Sequence, residues 1–123
     1  MSKNRLATLA LIVVTAALAW ALPATAQQTA TKATTVTVTA GSPSEFAFKL
    51  STKSVKAGTV TFKVTNKGNL PHDFKIAGKR TPLLQNGKTA TLKVTLKKGK
   101  KYPYLCTVSG HAAAGMKGTV TAK

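Results

Sequence analysis

Apolar and polar residues alternate with a period of two along much of the chain after residue 33, and this alternation constrains the fold more than any other feature. A period of two places successive side chains on opposite faces of an extended strand, so that one face is buried and the other is solvated. Turn-forming pairs such as Asn86-Gly87 separate the runs. The alternating apolar positions are Val36, Val38, Phe46, Phe48, Leu50, Val60, Phe62, Val64, Leu92, Val94 and Leu96.

Shorter strands are expected over Asp73–Ile76, Tyr102–Thr107 and Lys117–Thr121. No stretch after residue 26 has a convincing helical period, and the Thr and Gly content disfavours helix. Seven or eight short strands at intervals of roughly 8–12 residues are typical of a β-sandwich or barrel. The pattern therefore predicts an all-β domain, a β-sandwich of seven to eight strands, over residues 34–123.

The first 26 residues are organised like a secretory signal peptide. Lys3 and Arg5 precede an apolar run from Leu6 to Leu22, and Ala24-Thr25-Ala26 offers small residues at a cleavage site. An uncleaved membrane anchor is the alternative, although a run of 17 residues is at the short edge of what a spanning helix needs. The sequence predicts cleavage after residue 26, a flexible leader over residues 27–33, and export to the periplasm or the extracellular space.

Removal of this segment leaves 97 residues, which is enough for one domain. Seventeen basic side chains then stand against Glu45 and Asp73, for a net charge of +15. Such a charge favours acidic partners or an anionic membrane surface. A nucleic-acid role is disfavoured by the predicted export and by the scattering of the lysines, which cluster only within Lys97–Lys101.

The chain has one cysteine, two histidines and, beyond Met1, one methionine. A single thiol in an exported domain is a liability unless it is paired, buried or bound to a metal. Each of these residues alone has an ordinary interpretation, such as a buried apolar filler or a hydrogen-bonded histidine. Together they provide two imidazoles, a thiolate and a thioether, which is the ligand set of blue-copper electron-transfer sites.

The spacing of the donors supports one shared site. Cys106, His111 and Met116 are separated by four residues in each gap, so a short loop between adjacent strands can fold them around one ion. His72 lies 34 residues before Cys106, next to a predicted turn at residues 66–69. We therefore expect it to reach the site from a second loop at the same end of the sandwich. The sequence predicts one copper ion bound by these four residues.

The segment YLCTVSGHAAAGMKGTV at residues 104–120 resembles the copper-binding loop of cupredoxins, the family of plastocyanin, azurin and auracyanin. The segment LPHDF at residues 70–74 resembles the first histidine motif of the same family. The likeness extends over nearly all of residues 34–123 and implies a Greek-key sandwich.

For the ligands, the resemblance implies that Cys106 is the thiolate, that His72 and His111 are the imidazoles and that Met116 is the axial thioether. Asp73 departs from the family pattern, because members often have an asparagine there that ties the two ligand loops together. Asp73 can still accept backbone N–H bonds in that place.

These features imply a type 1 copper protein that carries single electrons by Cu(II)/Cu(I) cycling. His111 is then the partly exposed ligand through which electrons pass, inside a small apolar patch over Ala112–Gly115. An exported copper carrier or storage protein without electron transfer is the alternative, but the chain lacks Met-rich or His-rich tails. A copper enzyme needs extra histidines for further copper atoms, and a metal-free binding module leaves Cys106 unexplained.

A monomer that docks briefly with an acidic redox partner fits this interpretation, because transient redox complexes use small interfaces. The lysines steer the encounter. We expect Lys97–Lys101 at the far end of the strand leading to Cys106, about 15–20 Å from the metal. Tyr102 and Tyr104 are assigned to core packing and turn stabilisation.

Overall fold

Nine β-strands form the regular structure of the chain in the computed structural model, which describes residues 21, 24–26 and 32–123. The predicted signal peptide and leader lie almost wholly outside the described residues. Within the described residues, no helix is long and apolar enough to cross a membrane. The strands are β1 (Thr34–Ala40), β2 (Phe48–Leu50), β3 (Ser54–Val55), β4 (Gly58–Asn66), β5 (Lys75–Ile76), β6 (Lys79–Arg80), β7 (Thr89–Leu96), β8 (Lys101–Leu105) and β9 (Lys117–Ala122).

The strands pair into two mixed sheets that pack face to face. One sheet has the order β2-β1-β4-β7, and the other has the order β3-β9-β8-β5-β6. Two of the pairings, β1 with β4 and β3 with β9, are parallel, and the others are antiparallel. The β-sandwich predicted from the alternation is confirmed.

The core lies between the sheets and is built by the alternating residues. In the first sheet the register places Val36 beside Phe62, and Phe62 beside Leu92, so that their side chains share the inner face. Phe74 packs between the sheets, with ring centroids 5.4 Å from Phe62 and 5.3 Å from Tyr104. The burial alternates along each long strand as the period of two requires.

Some strand boundaries differ from the sequence-based expectation. The strand expected from Phe46 begins at Phe48, because residues 41–47 form a loop in which the N–H of Gly41 donates to the carbonyl of Ala47 at 2.9 Å. The strand expected over Asp73–Ile76 is limited to β5, since the N–H of Phe74 donates to the hydroxyl of Thr81 at 3.0 Å and not to a neighbouring strand.

The other differences concern the end of β8 and the number of strands. The strand expected over Tyr102–Thr107 ends at Leu105, which leaves Cys106 in a loop. Nine strands are present in the described residues, where seven to eight were expected, because β3 and β6 are edge strands of two residues each. A strand of two residues is too short to show the alternation by which strands are recognised in a sequence.

At the far end of the sandwich, the turn before β8 holds the lysine cluster. Gly99 donates its N–H to the carbonyl of Ala122 at 2.8 Å, and the N–H of Lys97 donates to the hydroxyl of Tyr102 at 2.8 Å. Tyr104 is buried in the core. The roles predicted for the two tyrosines, turn stabilisation and core packing, are confirmed.

Truncation of the central aromatic side chain of β4 tests this account of the core. Phe62→Ala removes a fully buried ring and leaves a cavity between the sheets. We expect the free energy of unfolding to fall by about 3–5 kcal/mol in urea titrations of the metal-free protein. Leu83→Ala is the control, since that side chain is 53% exposed and its loss should change stability by less than about 0.5 kcal/mol. Equal losses in the two variants would contradict the packing described.

Candidate metal centre

Three loops meet at the end of the sandwich opposite the lysine cluster. They connect β1 to β2 (residues 41–47), β4 to β5 (residues 67–74) and β8 to β9 (residues 106–116). The first two loops touch through a pair of glycines, because a Cβ on Gly41 would overlap the backbone of Gly68. Gly41 also has a φ of 72°, which favours glycine at this turn.

The β8–β9 loop starts and ends on the same hydrogen-bonded rung. Cys106 directly follows β8, Met116 directly precedes β9, and the N–H of Cys106 donates to the carbonyl of Met116 at 3.1 Å. Inside the loop, the N–H of His111 donates to the carbonyl of Val108, and the N–H of Met116 donates to the carbonyl of His111, both at 3.1 Å. These bonds fold the eleven-residue loop back on itself and turn His111 toward Cys106.

His72 reaches the site from the β4–β5 loop and is held by backbone pairing with Leu84. Its N–H donates to the carbonyl of Leu84 at 3.1 Å, and its carbonyl accepts from the N–H of Leu84 at 2.8 Å. The side-chain amide of Asn66, fully buried, donates to the carbonyls of Leu70 and Leu84 at 2.8 Å each. This buried amide therefore connects the start of the segment that carries His72 to Leu84, the residue with which His72 pairs.

The donor atoms of His72, Cys106 and His111 form a buried triangle. The two Nδ1 atoms are 3.1 Å apart, and the Sγ atom lies 3.9 Å from Nδ1 of His72 and 3.6 Å from Nδ1 of His111. All three side chains are buried, and His111, with 8% of its surface exposed, is the most open of them.

The triangle has the dimensions that a metal ion needs. Two nitrogens at about 2.0 Å and one sulfur at about 2.3 Å from an ion in their common plane lie about 3.5–3.7 Å from one another. The three observed separations, 3.1, 3.6 and 3.9 Å, bracket that range. A soft thiolate with two imidazoles is the donor set that type 1 copper takes.

Met116 lies beside the triangle and is fully buried. It packs with Cys106 and Ala40 in a small apolar cluster that is separate from the main core. The structure thus brings His72, Cys106 and His111 together and places Met116 against Cys106. The assignment of these four residues as copper ligands stays a prediction.

Asp73 joins the two loops that carry the donors. Its Oδ1 accepts the N–H of Thr107 at 2.6 Å, and its Oδ2 accepts the Thr107 hydroxyl. Arg80 lies on the outer side of this pair, with Nε 3.7 Å from Oδ2 of Asp73. The carboxylate therefore makes the loop-to-loop connection for which the family often uses an asparagine.

Two residues that contact the donor imidazoles, Glu45 and Phe46, are not identified as site residues by the sequence. Oε1 of Glu45 lies 2.7 Å from Nε2 of His72, and the ring of Phe46 meets the ring of His111 edge to face at 5.0 Å. Neither belongs to a recognisable motif, because both act from the β1–β2 loop across a long sequence separation. The one sequence signal for Glu45 is that the chain contains only two acidic residues.

The surroundings shift the pKa values of three titratable groups at the site, Glu45, Cys106 and His111. The N–H groups of Asn69 and Leu70, together with His72, lower the pKa of Glu45 to about 2, so its carboxylate is ionised and can act only as a hydrogen-bond acceptor toward His72. Burial raises the pKa of the Cys106 thiol. Burial, and then the neighbouring His72, lowers the pKa of His111 and favours the neutral imidazole that metals bind.

A two-sheet sandwich with two buried imidazoles and one thiol at one end defines a small β-protein with a single metal centre. The family model for the cupredoxin-like domain matches residues 9–122, and the chain belongs to this family. No curated protein sequence matches the chain.

Solved structures share the fold. Auracyanin B is 23% identical, with a TM-score of 0.65 over 74% of this chain and 89% of that one. Auracyanin A, described as a "blue" copper protein from Chloroflexus aurantiacus, is 21% identical, with a TM-score of 0.58 over 72% and 98%. Rusticyanin from Thiobacillus ferrooxidans is 24% identical, with a TM-score of 0.60 over 72% and 76%.

Family membership and the donor triangle agree on the cofactor. The cluster of His72, Cys106 and His111 fits a single type 1 copper site, as the sequence predicted. The expectation that His72 comes from a second loop at the same end of the sandwich is also confirmed.

The loop connection through Asp73 can be tested in the metal-free protein. Asp73→Ala leaves the N–H and hydroxyl of Thr107 without their acceptor, so we expect a loss of about 1–3 kcal/mol in the free energy of unfolding. Asp73→Asn keeps an acceptor for the N–H and offers a donor to the hydroxyl, so its loss should be clearly smaller. Urea titrations compare the two variants, and an asparagine variant as unstable as the alanine variant would argue against this role.

Proposed function

We propose that the protein is an exported one-electron carrier whose copper is held by His72, Cys106, His111 and Met116. The observation that carries this proposal is the buried triangle of two Nδ1 atoms and one Sγ atom. It uses both histidines and the single cysteine of the chain, and the one methionine beyond Met1 packs beside it. Copper supplies the one-electron chemistry by alternating between Cu(II) and Cu(I).

The protein's part is to hold the donors still and to exclude water. Each donor residue is fixed by backbone hydrogen bonds, those of His72 to Leu84 and those of Cys106 and His111 to Met116. His72 and Met116 are fully buried, which keeps solvent away from the sides of the site that face the core. A rigid, dry donor set changes little between two oxidation states and so favours rapid electron transfer.

Electrons leave through the imidazole of His111, which is the most exposed of the three clustered side chains. Phe46 lies against this imidazole and is 37% exposed, while Ala113 and Ala114 of the same loop are exposed. Leu70, next to the His72 segment, is 43% exposed. Such apolar surface around the exit suits brief docking with a redox partner protein.

The charge of the chain determines which partners approach quickly. The formal net charge is +17, and both acidic residues are engaged at the copper end, so the remaining surface is basic. A basic surface accelerates encounter with acidic partners and supports weak association with anionic membrane surfaces. The protein acts as a monomer and not as an enzyme in this proposal, since every histidine is used to hold one ion.

The first measurement is the visible absorption spectrum of the protein with one equivalent of Cu(II). We expect an intense thiolate-to-copper band that bleaches with ascorbate and returns on reoxidation without loss of copper. Cys106→Ser should abolish the band because it removes the thiolate, whereas Met116→Leu should keep it and change the reduction potential.

A pale spectrum from the unaltered protein would contradict the electron-carrier proposal and favour a copper carrier or storage protein. A band that bleaches only when copper is released to a chelator would also favour a copper carrier or storage protein. Loss of the band in Met116→Leu would contradict the axial role assigned to Met116.

Export predicts a shorter mature chain. Expression of the whole sequence in a bacterial host should yield periplasmic protein whose N-terminus is Gln27, because the small residues at Ala24 and Ala26 direct cleavage there. N-terminal sequencing and intact mass measure the start. An intact N-terminus on membrane-bound material would instead favour the uncleaved anchor.

A further inference from the structure

Glu45 makes a connection to the donor triangle that the proposed function does not need. Its Oε1 lies 2.7 Å from Nε2 of His72, the nitrogen that points away from the triangle. Its Oε2 accepts the N–H of Asn69 and its Oε1 accepts the N–H of Leu70, each at 2.9 Å. The carboxylate thus binds both the backbone of the His72 loop and the imidazole itself.

The surroundings are shaped around this contact. A Cβ on Gly68 would overlap Oε1 of Glu45 and would lie 2.9 Å from Nε2 of His72, so the space is available only because residue 68 has no side chain. Gly68 has no positive φ, and close approach is therefore the reason for glycine at this position. His72 itself is fully buried, so water cannot replace the carboxylate at Nε2 without rearrangement.

A carboxylate at Nε2 selects one form of the ring. A neutral imidazole has one protonated and one unprotonated nitrogen, and a carboxylate acceptor holds the proton on the nitrogen that it faces. Nδ1 of His72 is then left with its lone pair directed at Cys106 and His111. Carboxylates that bind the far nitrogen of a ligand histidine orient the ring and raise its basicity.

The negative charge of Glu45 should also favour a bound cation, in addition to the effect of the carboxylate on the basicity of His72. The side chain is 26% exposed, so its interaction with the site is only partly screened by water. A negative charge next to a ligand stabilises the more positive oxidation state of the ion. It should therefore strengthen the binding of Cu(II) more than that of Cu(I) and lower the reduction potential.

We propose that Glu45 is a positioning residue, which presets the tautomer of His72 before metal arrives and lowers the reduction potential of the copper site. The second part rests on the proposed function, whereas the first concerns the metal-free protein alone. The two parts therefore call for separate experiments.

The tautomer is measured without copper. Nitrogen-15 NMR of the metal-free protein at pH 8 should report His72 with the proton on Nε2. Glu45→Gln should keep this form, because an amide oxygen still accepts the proton, and Glu45→Ala should give mixed tautomers. Signal dispersion in the same spectra shows whether each variant is folded. A His72 signal that is unchanged in folded Glu45→Ala would overturn the proposal.

The potential is measured by redox titration of the copper-loaded proteins. Loss of a carboxylate behind a ligand histidine costs about 10-fold to 100-fold in metal affinity. A tenfold loss for Cu(II) with Cu(I) affinity unchanged raises a one-electron potential by about 59 mV. We expect Glu45→Gln to raise the potential by at least this amount while the thiolate band is retained.

Asp73→Asn measures the effect of losing a nearby negative charge alone, since it removes the other acidic side chain and contacts Thr107 rather than an imidazole. A rise that is larger in Glu45→Gln than in Asp73→Asn supports the proposal, whereas an equal or smaller rise in Glu45→Gln, or none, would overturn the claim about the potential. Absence of the thiolate band in the unaltered protein would refute the proposed function instead. The NMR result would still decide whether Glu45 sets the tautomer.

Discussion

Burying two imidazoles and a thiol side by side is the constraint on which this structure depends. A polar group removed from water is costly unless each donor and acceptor has a partner. The protein meets this demand on both sides of His72, with Glu45 on Nε2 and the donor triangle on Nδ1. Among the described residues, no buried side-chain nitrogen or oxygen lacks a hydrogen-bond partner. The three loops therefore provide hydrogen-bond partners for the buried polar groups, in addition to covering the end of the apolar core.

The placement of charge follows from the same constraint. The chain has 19 basic residues and two acidic ones, and both acidic side chains form hydrogen bonds inside the metal centre. One binds a ligand histidine, and the other joins the two ligand loops. Negative charge is thus concentrated at the place where a cation is to be bound, while the strands present lysines to solvent. A single distribution of residues therefore gives the chain both its basic surface and the two carboxylates of the metal centre.

The sequence predicted the parts of the fold and site that depend on local pattern. Alternation identified the long strands β1, β4 and β7, and the gaps between Cys106, His111 and Met116 predicted a single loop. The contacts of Glu45 and Phe46 were not predicted, because they join residues 27 and 65 positions apart that only the folded sandwich brings together. The two-residue strands β3 and β6 were missed for a similar reason, since their pairing is set by their neighbours.

The parallel pairing of β3 with β9 makes the metal site depend on contacts between distant parts of the chain. It joins residues 54–55 to residues 121–122, so the second sheet is completed only by the last strand of the chain. The loop from Cys106 to Met116 is closed by the ladder between β8 and β9. That ladder holds Met116 against the thiol, while Ala40 of β1 and Phe48 of β2 pack on the same small cluster. The enclosure of Cys106 therefore depends on residues 117–122, which lie outside the donor set and pair with β3 and β8.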